Sequence, residues 1–120
     1  MDATRDVVLV VEDDVLIRMD AADTIASWGF EVIEAANAGD AILRLEDRRD
    51  VRIVFTDIEM PGPMNGIALA HEVRKRWPNV TIIVVSGRVA PAAGELPDRV
   101  PFLGKPYQPN DLMHALGRMA

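Results

Sequence analysis

The sequence predicts an α/β domain built on a parallel sheet. Strand-like runs at residues 7–11, 30–34, 51–56, 80–85 and 100–104 alternate with stretches of helical periodicity. Four of the runs close on polar residues: Glu12 and Asp13 after the first, Asp57 after the third, Ser86 after the fourth, Lys105 after the fifth. Parallel strands bring such ends to one edge, and open parallel sheets take ligands there.

Each element has a local reason. Asp14 caps a helix expected over Val15–Ser27, where its side chain accepts from orphan N–H groups. Leu16, Ile17, Ala21, Thr24 and Ile25 give that helix an apolar stripe in steps of three and four. Gly29 ends it. A short strand follows at 30–34, and Asn37 or Asp40 opens a second helix that turns Ala41, Ile42 and Leu45 inward. The third strand ends at Asp57. A loop rich in Pro and Gly, residues 60–66, leads to a helix carrying Ile67, Leu69, Ala70 and Val73, which Pro78 stops. The fourth strand ends at Ser86. Residues 87–101 then contain Gly87, Pro91, Gly94, Pro97 and Pro101. These exclude a full helix, and a helix of two turns at most is expected. A short fifth strand precedes a last helix from Pro109 or Asn110 to Met119, carrying Leu112, Met113 and Leu116.

With 120 residues the chain reads as one domain, 1–120, with one core. Hydrophobic content of 49% and charged content of 27% are those of a soluble globular protein. No run approaches the ~20 apolar residues of a membrane span, and the N-terminus lacks the layout of a signal peptide. A cytoplasmic setting fits. There is no cysteine, hence no disulfide framework or thiolate chemistry. A net charge of −6 argues against direct nucleic-acid binding. The basic run Arg74-Lys75-Arg76 reads as the solvated end of a helix.

Glu12, Asp13 and Asp57 together would suit a hard divalent cation such as Mg2+. Lys105 and Ser86 beside them would suit a phosphoryl group. Each residue also has a plainer role. Acids before a helix satisfy its N–H groups, as Asp14 does; Asp57 alone could be a solvated strand end, and Lys105 a surface lysine. It is their coincidence at one sheet edge that argues for a site. His71 and His114 lack ligand spacing, Trp28 and Trp77 read as covers for core edges, and Met60, Met64 and Met113 as gap fillers.

The chain resembles the receiver domains of bacterial two-component response regulators over essentially its whole length. The resemblance is carried by Val10-Val11-Glu12-Asp13-Asp14, by Asp57 with Met60-Pro61-Gly62 and Asn65-Gly66, by Ser86-Gly87, and by Lys105-Pro106-Tyr107. It implies a doubly wound, flavodoxin-like sheet of strand order 2-1-3-4-5. It implies that Asp57 takes a phosphoryl group from the phosphohistidine of a sensor histidine kinase or a histidine phosphotransfer protein. Glu12, Asp13 and Asp57 would hold Mg2+, with the backbone carbonyl of Glu59 as a further ligand. Ser86 and Lys105 would contact the phosphoryl oxygens. Phe102 occupies the position of the family's aromatic switch and would turn inward as Ser86 moves. By the same resemblance Glu59 and Arg88 flank the path of the hydrolytic water, and either pair across the site mouth or stay separately solvated. A cis Lys105–Pro106 bond is also expected. The domain would be a signalling switch rather than an enzyme, with self-catalysed phosphoryl transfer and autodephosphorylation, acting on an unknown downstream protein.

The chain departs from the family in three places. The loop at 60–66 is one residue longer than the commonest form, Phe102 lacks a hydroxyl, and the segment of the family's fourth helix is rich in Pro and Gly. Two other functions compete. Asp57-Ile58-Glu59 distantly resembles the nucleophile and acid of aspartate phosphohydrolases, but 120 residues leave no substrate-covering cap. A degenerate receiver used only for binding is disfavoured by the intact Glu12, Asp13, Asp57, Ser86 and Lys105. A dinucleotide-binding fold is excluded by the lack of a Gly-rich turn after the first strand.

Overall fold

The computed structural model describes residues 6–88 and 90–117. In chain order the elements are β1 (Val7–Val11), α1 (Val15–Ser27), β2 (Glu31–Ala35), α2 (Ala38–Asp47), β3 (Val51–Asp57), α3 (Gly66–Arg76), β4 (Thr81–Ser86), β5 (Phe102–Gly104) and α4 (Pro109–Gly117). The five strands are parallel in the order β2-β1-β3-β4-β5. The expected flavodoxin-like order is therefore the observed one.

Strand side chains alternate between two covered faces, which is why the central strands are apolar throughout. Val7, Leu9 and Val11 pack with Ala41 and Leu45 of α2 and Leu69, Ala70 and Val73 of α3. Val8 and Val10 pack with Ala21 and Ile25 of α1 and Leu112, Ala115 and Leu116 of α4. A bulge interrupts the β1–β3 register, since Val7 pairs with Val51 but Val8 with Ile53. The extra residue, Arg52, thereby reaches solvent from a strand otherwise buried.

The first two caps fall where the sequence places them, and a third appears at Asn65. Asp14 Oδ1 accepts from the N–H groups of Leu16 and Ile17, both at 3.0 Å. Asn37, rather than Asp40, caps α2 by accepting from Asp40 N–H at 2.8 Å. Asn65 caps α3 through Ala68 N–H at 2.9 Å. Gly29 takes the left-handed conformation, φ 98°, that terminates α1.

The stripe of α1 is not the expected one. Leu16 is 78% exposed and Ile17 46%, while Ala21, Ala22 and Ile25 are buried. The inward stripe steps back from Ile25 through Ala22 and Ala21 to Arg18, so an arginine occupies the inward position of the first turn. In α4, Met113 is 43% exposed and Ala115 is buried in its place. The expected end of that helix at Met119 lies outside the described residues.

No helix forms between Ser86 and Phe102 among the described residues, where up to two turns are expected. Pro91, Pro97 and Pro101 interrupt any ladder, and the Glu95 carboxylate takes Ala92 N–H at 2.6 Å, a local bond that competes with helix. The segment crosses as a strap tied to α3. His71 Nε2 meets the Glu95 carbonyl oxygen at 2.6 Å, and Arg74 Nη1 donates to the Asp98 carbonyl oxygen at 2.8 Å. Leu96 and Val100 pack on the core beneath it. No helix among the described residues is long and apolar enough to cross a membrane.

Candidate functional site

The site forms at the C-terminal edge of the sheet, where β1, β3, β4 and β5 end side by side. Glu12 follows β1 and is anchored at both ends of its backbone. Its N–H donates to the Ala35 carbonyl oxygen at 3.0 Å, and its own carbonyl oxygen accepts from Arg18 Nη1 at 2.9 Å. Glu12 Oε2 accepts from Asp14 N–H at 3.1 Å. Asp57 ends β3 with only 5% of its surface exposed. The next residue, Ile58, donates its N–H to the Val85 carbonyl oxygen at 2.9 Å, which pins the loop against β4. Gly66 then lets α3 approach. A Cβ there would collide with the Asp57 carbonyl oxygen, so no other residue fits without a backbone shift.

Lys105 enters from the end of β5, and its bond to Pro106 is cis, as expected. Its Nζ lies 3.0 Å from Glu12 Oε1 and 3.2 Å from Asp57 Oδ1. Asp13 is exposed beside them, and one carboxylate oxygen from each of Glu12, Asp13 and Asp57 lies within 4.8 Å of the others.

Electrostatics follow from that crowding. Burial, then the Glu12 charge, push the Asp57 carboxyl up to about 6, against the opposing pull of Lys105. Burial works against the Lys105 ammonium, yet its bond to Glu12 and the Asp57 charge hold it above its ordinary value. Asp57 Oδ1 is fully buried and accepts no well-aligned hydrogen bond; the ammonium serves it only as an ion pair. A buried carboxylate oxygen so placed, facing two further carboxylates, is a donor set suited to a hard oxygen-seeking cation. The residues present therefore fit Mg2+.

Ser86 ends β4, buried, with Oγ donating to the Glu59 carboxylate at 2.8 Å and 2.7 Å to its two oxygens. Among the described residues no ion pair joins Glu59 to Arg88; the backbone N–H of Arg88 instead donates to Ser86 Oγ at 3.1 Å. Phe102 is half-buried on β5 against the α2–α3 side of the core. Tyr107 packs on the opposite side, its ring 6.1 Å from that of Phe55 in an edge-to-face arrangement. Tyr107 and Ile17 share a small cavity with Glu12, Asp57 and Lys105. Arg18 is the site-supporting residue that sequence reasoning missed. Its only signal is its place one turn before Ala21 and Ala22, and a charged residue there reads as a break in the stripe.

Comparison with known proteins agrees with this geometry. Residues 8–117 match the model of the response regulator receiver domain. This chain belongs to that family. It is 36% identical over 117 residues to the chemotaxis protein CheY of Thermotoga maritima, covering 94% of this chain and 96% of that one. It is also 36% identical over 116 residues to the sensor kinase CckA of Brucella abortus, covering 93% of this chain but only 12% of the kinase. Among solved structures, a response regulator receiver protein from Sinorhizobium medicae superposes with a TM-score of 0.90 at 26% identity, covering 96% of this chain and 94% of that one.

Proposed function

We propose that this receiver domain, residues 1–120, accepts a phosphoryl group on Asp57 from the phosphohistidine of a sensor histidine kinase or a histidine phosphotransfer protein. An Asp57 carboxylate oxygen attacks phosphorus. The P–O bond forms as the P–N bond breaks, and the imidazole leaves with a proton from solvent. The observation that carries this reading is Asp57 Oδ1: buried, without a hydrogen bond, and 3.2 Å from the Lys105 ammonium.

Glu12, Asp13 and Asp57 would hold Mg2+, joined by the Glu59 backbone carbonyl, and the ion when bound neutralises carboxylate and phosphoryl charge. Lys105 balances charge that develops on the phosphoryl oxygens, and Ser86 donates its hydroxyl to one of them. Phe102 is the switch that senses the move of Ser86. The phosphorylated domain loses its group by autodephosphorylation and acts on a downstream protein in the cytoplasm, as a switch rather than as an enzyme on external substrates.

Phosphoramidate, an N–P donor like phosphohistidine, tests the reading. Intact mass is expected to rise by one phosphoryl group with Mg2+ and to stay unchanged with EDTA. No gain with Mg2+ rules the reading out.

A further inference from the structure

The hydroxyl of Ser86 already has a partner. It has a single proton to donate, and both oxygens of Glu59 receive it, at 2.8 Å and 2.7 Å. The same hydroxyl oxygen accepts the Arg88 N–H at 3.1 Å, so it is held from two sides. Ser86 is 3% exposed, which leaves little room for water to take over either bond. The contact is built into the backbone, because the bond from Ile58 N–H to the Val85 carbonyl oxygen sets the residues after Asp57 beside the end of β4. A carboxylate acceptor makes the bond stronger than a neutral one would.

We propose that Glu59 is a positioning residue for phosphoryl acceptance: its carboxylate holds the Ser86 hydroxyl until a phosphoryl oxygen displaces it, and so sets how tightly the charged state is held. The proposal rests on the phospho-accepting reading of Asp57. No covalent bond changes in this step; the hydroxyl exchanges a carboxylate acceptor for a phosphoryl one. Glu59 is thereby freed near Asp57, whose carboxyl already feels its charge. The Glu59 side chain opposes the phosphorylated form twice, by competing for the hydroxyl and by repelling the phosphoryl charge.

Only competition depends on Ser86, so a double-mutant cycle separates the two effects. The probe is beryllofluoride, a phosphoryl mimic, titrated by calorimetry in saturating Mg2+. Wild type, Glu59→Ala, Glu59→Gln, Ser86→Ala and the double variant Glu59→Ala with Ser86→Ala are compared, each checked for folding by circular dichroism. Glu59→Ala is expected to bind the mimic roughly three- to tenfold more tightly, the net scale of one ordinary hydrogen bond, since the hydroxyl exchanges one charged acceptor for another. Glu59→Gln, the same size but a weaker acceptor, should fall between it and the wild type. With Ser86→Ala already present, removing Glu59 should give a clearly smaller gain, the part due to repulsion alone. An equal gain with and without the serine hydroxyl would mean repulsion alone and overturns the proposal, as does no gain in Glu59→Ala. A wild type that binds no mimic in Mg2+ overturns the phospho-accepting reading itself, and the proposal with it.

Discussion

Arg18 reaches from the first helix back to the strand end before it, where its Nη1 holds the Glu12 carbonyl oxygen at 2.9 Å. Its Nε pairs at the same time with Glu34 Oε1 of β2 at 3.0 Å. One planar guanidinium thus ties β1, β2 and α1 together and fixes the backbone from which the Glu12 carboxylate projects. Arg18→Ala is expected to lower stability by about 1–2 kcal/mol in urea unfolding and to weaken Mg2+ binding a few-fold by calorimetry. Arg18→Lys should recover part of the stability, since an ammonium lacks the fork that spans both acceptors. Unchanged Mg2+ affinity in Arg18→Ala would show that the clamp does not position Glu12.

Asp57 makes stability depend on pH in a predictable direction. Its carboxyl sits at about 6, above its ordinary 3.8, because it is buried beside Glu12. The folded state therefore prefers the protonated form. That preference stabilises fully below the ordinary value and is lost as pH rises through about 6. Without metal, Asp57→Asn should be more stable than the wild type at pH 7, by an amount on the order of 2 kcal/mol. The advantage should shrink toward pH 4, and Mg2+ should narrow it at pH 7. Chemical unfolding at several pH values checks this, and an advantage independent of pH would refute it.

Gly66→Ala tests the close approach of α3 to the acceptor strand. The added methyl meets the Asp57 carbonyl oxygen and the Ile58 Cα, both backbone, so relief requires the helix to move. A loss of roughly 2–4 kcal/mol is expected, typical of overpacking a rigid site. Ala at Gly104, where nothing lies within 4 Å, should cost far less. Similar losses at the two positions would argue against a close-approach role.

The strands and their parallel arrangement were legible because the apolar runs are long and alternate with helical periodicity, whereas the strand order came only from the family resemblance. The cap at Asp14 could be read from the residue type before the helical run, and the clustering of Glu12, Asp13, Asp57 and Lys105 because strand ends in a parallel sheet must converge; the cap at Asn65 came only from the structure. Two kinds of feature were not legible. The inward stripe of α1 begins at Arg18, whose charge is satisfied only by acceptors on other elements, and no periodicity reveals that. The partner of Glu59 depends on how the loop after Asp57 lies against β4. Sequence offers Arg88 as the opposite charge, but the nearer donor is the Ser86 hydroxyl, a neutral group that charge patterning cannot flag. Between Ser86 and Phe102 the prolines correctly forbid a long helix, but they do not show that the bonds from His71 and Arg74 to Glu95 and Asp98 replace even a short one over residues 90–101.

Lys105 faces two carboxylates, so its removal should separate metal binding from phosphoryl acceptance. Lys105→Ala leaves Glu12 and Asp57 without their ammonium. Mg2+ then meets a more negative site and is expected to bind about three- to tenfold more tightly, a Coulombic gain moderated by solvent. Uptake from phosphoramidate should slow by at least about tenfold, since the charge that balances the phosphoryl oxygens is gone. Weaker Mg2+ binding in this variant would show that Lys105 organises the carboxylates rather than competing with the ion.

The role of Asp57 is tested most directly by locating the phosphoryl group. Wild type is charged with phosphoramidate and Mg2+, then treated with borohydride, which reduces an acyl phosphate to the alcohol and leaves homoserine as a stable mark. Peptide mass spectrometry is expected to find homoserine at position 57 alone, and no mark in Asp57→Asn. A mark at another carboxylate, or uptake undiminished in Asp57→Asn, would contradict Asp57 as the acceptor.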